Sequence, residues 1–111
     1  MIERRKEPRK EIAYPVYFAS LNSEGLETTQ DFAMLVNISR TGVLLESALP
    51  ILTKEIKIIA SFKNKGDFEV FAELVYSIQM TENQFRSGLS LKGDPDQIQQ
   101  FVTALIDVMD G

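Results

Sequence analysis

The chain has 111 residues, 44% apolar and 25% charged, with a formal net charge of −4 and neither cysteine nor histidine. That length fits one domain with its own core. The composition excludes a disulfide framework, zinc–thiolate sites, Ser-His-Asp and Cys-His catalysis, and any imidazole base. Apolar runs stay below the roughly 20 residues of a membrane helix. The start, Met1 to Lys10, is highly charged and lacks the apolar segment of a signal peptide. The expectation is a soluble, cytoplasmic protein without membrane insertion.

Charge is unevenly spread. Residues 1–10 hold Arg4, Arg5, Lys6, Arg9 and Lys10 against Glu3 and Glu7, while the remainder holds seven basic and fourteen acidic side chains. A basic arm on an acidic body argues against a nucleic-acid polymer, which needs a basic face. It suits a compact anion gripped at one place. A solvated leader is the competing reading of the same charges. Residues 1–11 are expected to be a flexible basic arm and residues 12–111 the folded domain.

Within the arm, Arg5 and Arg9 bracket Lys6-Glu7-Pro8, and Pro8 favours an extended Glu7. In extended chain the two guanidinium groups project to the same side, about 13 Å apart. Each offers a planar fork to phosphate and a flat cationic face to a base.

Period-two alternation begins at Ile12, with Tyr14, Val16 and Phe18 in phase, and Pro15 is expected at an edge or bulge. Asn22-Ser-Glu-Gly25 has turn chemistry. A second strand sets Phe32, Met34, Val36 and Ile38 on one face, and Asn37-Ile-Ser-Arg-Thr-Gly42 interrupts it. Asn37 and Ser39, two apart, point the same way in a strand, with Ile38 opposite and inward. Their amide and hydroxyl suit a purine edge or a phosphate. Gly42 permits positive φ and close approach of backbone to a ligand. The competing reading is a plain turn whose side chains bond their own backbone.

A short third strand spans Val43 to Glu46. Ile56, Ile58, Ala60 and Phe62 form a fourth, and Lys63 to Asp67 a hairpin loop. The fifth sets Phe68, Val70, Ala72, Leu74, Tyr76 and Ile78 on one face; after a turn at Glu82-Asn83-Gln84, Phe85 to Leu91 form the sixth. Gly88 reads as a bulge or barrel corner, with a border of the ligand site as the competing reading. Tyr14, Tyr76 and the phenylalanines read as core, Glu69 and Glu73 as a solvated strand face rather than a metal pair, and Arg86 as surface. The period then changes. Asp94 caps, Pro95 opens and Gln97 completes a capping-box pattern for a helix over about 95–110, whose apolar stripe is Ile98, Phe101, Val102, Leu105, Ile106 and Met109. The fold class is mainly β: a six-stranded antiparallel barrel or sandwich with a C-terminal helix docked on it.

Arg5-Lys-Glu-Pro-Arg9 before the first strand, followed by Asn37-Ile-Ser-Arg-Thr-Gly42 at the second strand junction, resembles the signature of the PilZ family. Ala72 to Tyr76, Arg86 to Leu91 and the terminal helix are similar to the family's later elements. The resemblance implies a six-stranded β-barrel that is a receptor for cyclic di-GMP (c-di-GMP) and not an enzyme, with no metal or other cofactor. It implies that Arg4, Arg5 and Arg9 grip phosphates and guanine faces, that Asn37 and Ser39 read guanine edges or phosphate, and that Gly42 allows the turn. Many members have Asp in place of Asn37. An effector protein, as yet unidentified, would receive the signal when the arm becomes ordered. The alternative is a PilZ-like adaptor that binds no nucleotide and acts through protein contacts.

Overall fold

The computed structural model describes residues 10–110. Its elements are β1 (Lys10–Leu21), β2 (Glu27–Ile38), β3 (Gly42–Ser47), β4 (Glu55–Phe62), β5 (Gly66–Thr81), β6 (Gln84–Lys92) and α1 (Pro95–Asp110). The strands close into a barrel in the order β1-β2-β3-β6-β5-β4, all neighbours antiparallel. This is the six-stranded barrel with a C-terminal helix that the family resemblance implied, where the alternation alone left barrel and sandwich open. β1 starts at Lys10, so Lys10 and Glu11, assigned by pattern to the arm, belong to the first strand.

Turn chemistry sets the connections. The Asn22 side-chain oxygen accepts from the Glu24 and Leu26 amides at 2.9 and 3.0 Å, and Gly25 supplies a φ of 80°. In the β4–β5 hairpin, Asn64 and Gly66 take φ of 72° and 84°. Asn tolerates this left-handed region better than other residues with a β-carbon. Pro15 lies where β1 pairs with β2 but not with β4 among the described residues, an edge position as expected.

The core fills from alternate positions: Ile12, Val16 and Phe18 of β1, Ile56, Ile58, Ala60 and Phe62 of β4, Val70 and Ala72 of β5, Leu89 and Leu91 of β6. Two phases differ from the sequence reading. In β2 the buried residues are Ala33, Leu35 and Ile38, whereas Phe32 is 54% exposed. Leu35 pairs with Leu45 and Asn37 with Leu44, so Val36 is an extra residue and the inward phase slips by one. In β5 a similar shift between Leu74 and Tyr76 ends the inward row, and the strand runs on past the start of β4. Tyr76 and Ile78 are therefore outside the core, as is Phe71.

Helix α1 packs on β5 and β6. Phe101 and Leu105 are fully buried, with Val102 and Ala104 beside them. Asp94 caps it: its carboxylate accepts from the Asp96 amide at 3.2 Å. Gln97 does not close a capping box; its amide nitrogen donates to the Glu69 carbonyl at 2.8 Å and ties the first turn to β5. Phe101 joins the helix to the barrel core. Phe101→Ala should destabilise the protein by about 3–5 kcal/mol. Urea unfolding checks this, and a loss below about 1 kcal/mol would mean that the helix is not part of the cooperative unit.

Candidate functional site

Asn37 faces outward because Val36 is extra. Opposed residues on antiparallel strands share a face. Asn37 lies opposite Leu44 and Glu11, while Ile38, 1% exposed, pairs with the buried Val43. The chain then turns at Ser39. The Ser39 amide donates to the Gly42 carbonyl at 2.9 Å, and the Ser39 hydroxyl oxygen accepts from the Gly42 and Thr41 amides at 3.2 and 3.4 Å. The same hydroxyl donates to the Gly42 carbonyl at 3.4 Å. One donor and two acceptor positions are all that a serine hydroxyl has, so these contacts occupy it. These contacts agree with the turn reading of Ser39.

Gly42 departs from expectation. The residues with positive φ are Gly25, Asn64, Gly66 and Gly93, and Gly42 is not among them. Its lack of a side chain matters for proximity: a β-carbon there would lie 3.0 Å from the Leu89 carbonyl oxygen. The Leu91 amide donates to the Thr41 carbonyl at 2.8 Å, which fastens the turn to β6.

The register extends this corner into a row across five strands: Glu11, Asn37, Leu44, Gly88 and Tyr76. The Tyr76 ring lies on Gly88, where a β-carbon would come within 2.7 Å of Cζ. Glycine is thus required beneath the ring, and Gly88 lies opposite the register shift between Leu74 and Tyr76, in keeping with its reading as a bulge position. Gly42, Leu44, Val75, Tyr76, Gly88 and Leu89 line a shallow depression of about 100 Å³, and Tyr76 stays 44% exposed.

Charges on either side of the row are compensated. Glu73 accepts from Lys92 at 3.1 Å and Lys54 at 3.3 Å; these bonds, led by Lys92, hold its carboxyl below the usual range. Glu46 takes Arg86 through its Nε at 3.0 Å and Gln84 at 3.1 Å. Two of the nearby carboxylates are thus paired, while Glu11 is itself a member of the row. Glu69 pairs with Lys57 at 3.7 Å, and no metal-binding cluster exists among the described residues.

Asn37, Ser39 and Gly42 are thus one segment, with Asn37 on the outer face and Ser39 and Gly42 closing the turn. Arg4, Arg5 and Arg9 lie outside the described residues. Lys10, which follows Arg9 in the chain, pairs with Ile38. Tyr76 was missed, because regular alternation through β5 assigns it to the core. The pairing of Tyr76 with Gly88 depends on the register shift between Gln79 and Thr81, without which the hairpin would set Tyr76 opposite Leu89.

The sequence matches the family model of the PilZ domain over residues 3–107. The chain belongs to the PilZ family. No curated protein matches it. Among solved structures, the PilZ barrel described above is similar to the Bacillus subtilis inhibitor of motility MotI (DgrA), at 15% identity and a TM-score of 0.66, covering 97% of this chain and 52% of that one. It is similar to K. pneumonia MrkH in complex with c-di-GMP, at 16% identity and a TM-score of 0.65, covering 98% and 55%. Escherichia coli YcgR in complex with c-di-GMP gives 15% identity and a TM-score of 0.61, covering 98% and 49%. The chain spans about half the length of these structures.

Gly88→Ala should displace the Tyr76 ring from the PilZ barrel and cost roughly 1–3 kcal/mol of stability. Thermal unfolding together with tyrosine fluorescence checks this. An unchanged melting temperature would mean that the ring does not rest on the glycine in solution.

Proposed function

We propose that this PilZ domain is a cytoplasmic receptor for c-di-GMP, not an enzyme, and that it passes the level of the messenger to an effector protein. One observation supports the reading above the rest. The strand pairing sets Lys10 beside Ile38, so the sequence that carries Arg4, Arg5 and Arg9 enters the fold at the Asn37–Gly42 segment. Arg9 precedes Lys10 in the chain, 28 positions before Asn37, and Lys10 is the described residue that pairs beside that segment. Two of the structurally similar proteins are complexes with c-di-GMP, which adds to the same reading.

The chemistry assigns each part. The ligand carries two phosphodiester charges, and the arginine forks of Arg5 and Arg9, with Arg4, match phosphate oxygens bidentately and stack on guanine faces. The Asn37 side-chain oxygen accepts one guanine N–H, where a carboxylate would accept two and add a charge. Ser39 is a positioning residue: it holds the turn so that Asn37 and the backbone keep their places. The glycines at 42 and 88 let a flat ring system approach the sheet, and Tyr76 supplies an aromatic face beside them. Ligand binding orders the arm over this face and creates the surface that an effector reads.

The adaptor reading draws on one observation, the engagement of the Ser39 hydroxyl by its own turn. Calorimetric titration with c-di-GMP separates the two. Micromolar or tighter uptake is expected, with Arg9→Ala weakening it by about 2 kcal/mol or more, roughly 30-fold. Absence of heat with the unaltered protein selects the adaptor, and equal affinity of Arg9→Ala removes the arm from the site. Asn37→Asp should tighten binding by on the order of 1 kcal/mol, through a second, charge-assisted acceptor. Looser binding would mean that Asn37 faces a phosphate instead.

A further inference from the structure

Closing the barrel does not pair every strand along its whole length. Stretches of edge that lack a neighbouring strand on one side among the described residues include Lys10–Val16 of β1, Glu27–Phe32 of β2 and Tyr76–Thr81 of β5. Open edges invite pairing with other chains, and proteins blunt them with charge, proline or cover. The first stretch has Lys10, Glu11 and Pro15, and the second has Glu27 and Asp31. The third has no such device. From Leu74 to Thr81 the sequence is Leu-Val-Tyr-Ser-Ile-Gln-Met-Thr, without a charge, a proline or a glycine. Its apolar side chains are open: Val75 is 67% exposed, Tyr76 44%, Ile78 51% and Met80 49%.

We propose that this edge is a dimer interface on which β5 of a second copy pairs antiparallel about a two-fold axis. Self-pairing places each residue opposite a residue of the same short segment, so any charge there would meet its own kind. The segment has none. Elsewhere the body is strongly acidic, with fourteen acidic against seven basic side chains after Lys10, and two copies repel unless an uncharged face mediates the approach. Register shifts between Leu74 and Tyr76 and between Gln79 and Thr81 bound a regular stretch, Tyr76–Gln79. Centring the axis on Ile78 sets that side chain against its own copy on the outer face, with Tyr76 and Met80 flanking the contact. The pairing consumes the undefended edge in both copies, so assembly stops at two. Tyr76 belongs both to this contact and to the face assigned above to the nucleotide, so the two adjoin.

Sedimentation equilibrium across the micromolar-to-millimolar range, paired with amide hydrogen exchange at low and high protein concentration, tests this. A reversible monomer–dimer equilibrium is expected, with slowed exchange at high concentration confined to amides between Tyr76 and Thr81. Ile78→Lys, an exposed substitution that opposes two cations at the axis, should raise the dimer dissociation constant by about tenfold or more while the far-ultraviolet spectrum is kept. A wild-type chain that stays monomeric throughout, growth beyond two copies, or concentration-dependent protection on other strands would each overturn the proposal. The exchange readout uses the unaltered chain, so it decides the matter even if Ile78→Lys fails to fold.

Discussion

Val36 is one residue too many for the ladder between β2 and β3, and the orientation of the candidate site follows from it. Without the insertion, strict alternation from the buried Leu35 would turn Asn37 inward and Ile38 outward. A buried amide without partners would cost about 1–3 kcal/mol, and an exposed isoleucine would forfeit a similar amount of apolar burial. With the insertion, Leu35 and Ile38 both reach the core although three residues apart, and Asn37 joins Leu44 outside. β1 accommodates the same point with its own irregularity between Glu11 and Tyr14. The bulge therefore lets one strand serve the interior on one side of Val36 and present a polar side chain on the other.

Much of this was legible beforehand, for identifiable reasons. β4 alternates without interruption, so Ile56, Ile58, Ala60 and Phe62 were placed on the core face from sequence alone, as was the helical stripe through Phe101 and Leu105. Local turn chemistry at Asn22 and Gly25, and the cap at Asp94, depends on neighbours in the chain and was equally readable. The failures occur at register shifts, which depend on a partner strand. Reading back from Ile38 through the Val36 bulge put Phe32 and Met34 inside; reading forward through the shift after Leu74 put Tyr76 and Ile78 inside. Asn37 was given the right face only because it lies on the same side of the bulge as Ile38. The polar turn divided in a similar way: the Ser39 side chain bonds its own turn, as the turn reading had it, whereas Gly42 lacks the positive φ expected of it and is close to the Leu89 carbonyl instead.

Electrostatics and packing meet at the same face. Cations from β6 and from the segment before β4 pair with Glu73, and Arg86 and Gln84 satisfy Glu46, so two of the carboxylates near the 39–42 turn are compensated. The hydrogen bond from Leu91 to the Thr41 carbonyl ties that turn to the strand leading into α1. Three parts of the fold (the first paired residue of β1, the 39–42 turn and the end of β6) are thereby held in one neighbourhood by backbone alone.

The ring of Tyr76 resting on the bare backbone of Gly88 makes those two positions a single unit of variation. A larger residue at 88 is tolerable only if the aromatic at 76 is exchanged for something small in the same step, because either change alone leaves a clash or a gap. Their effects are therefore non-additive, and sequences derived from this one should drift at both sites together or at neither.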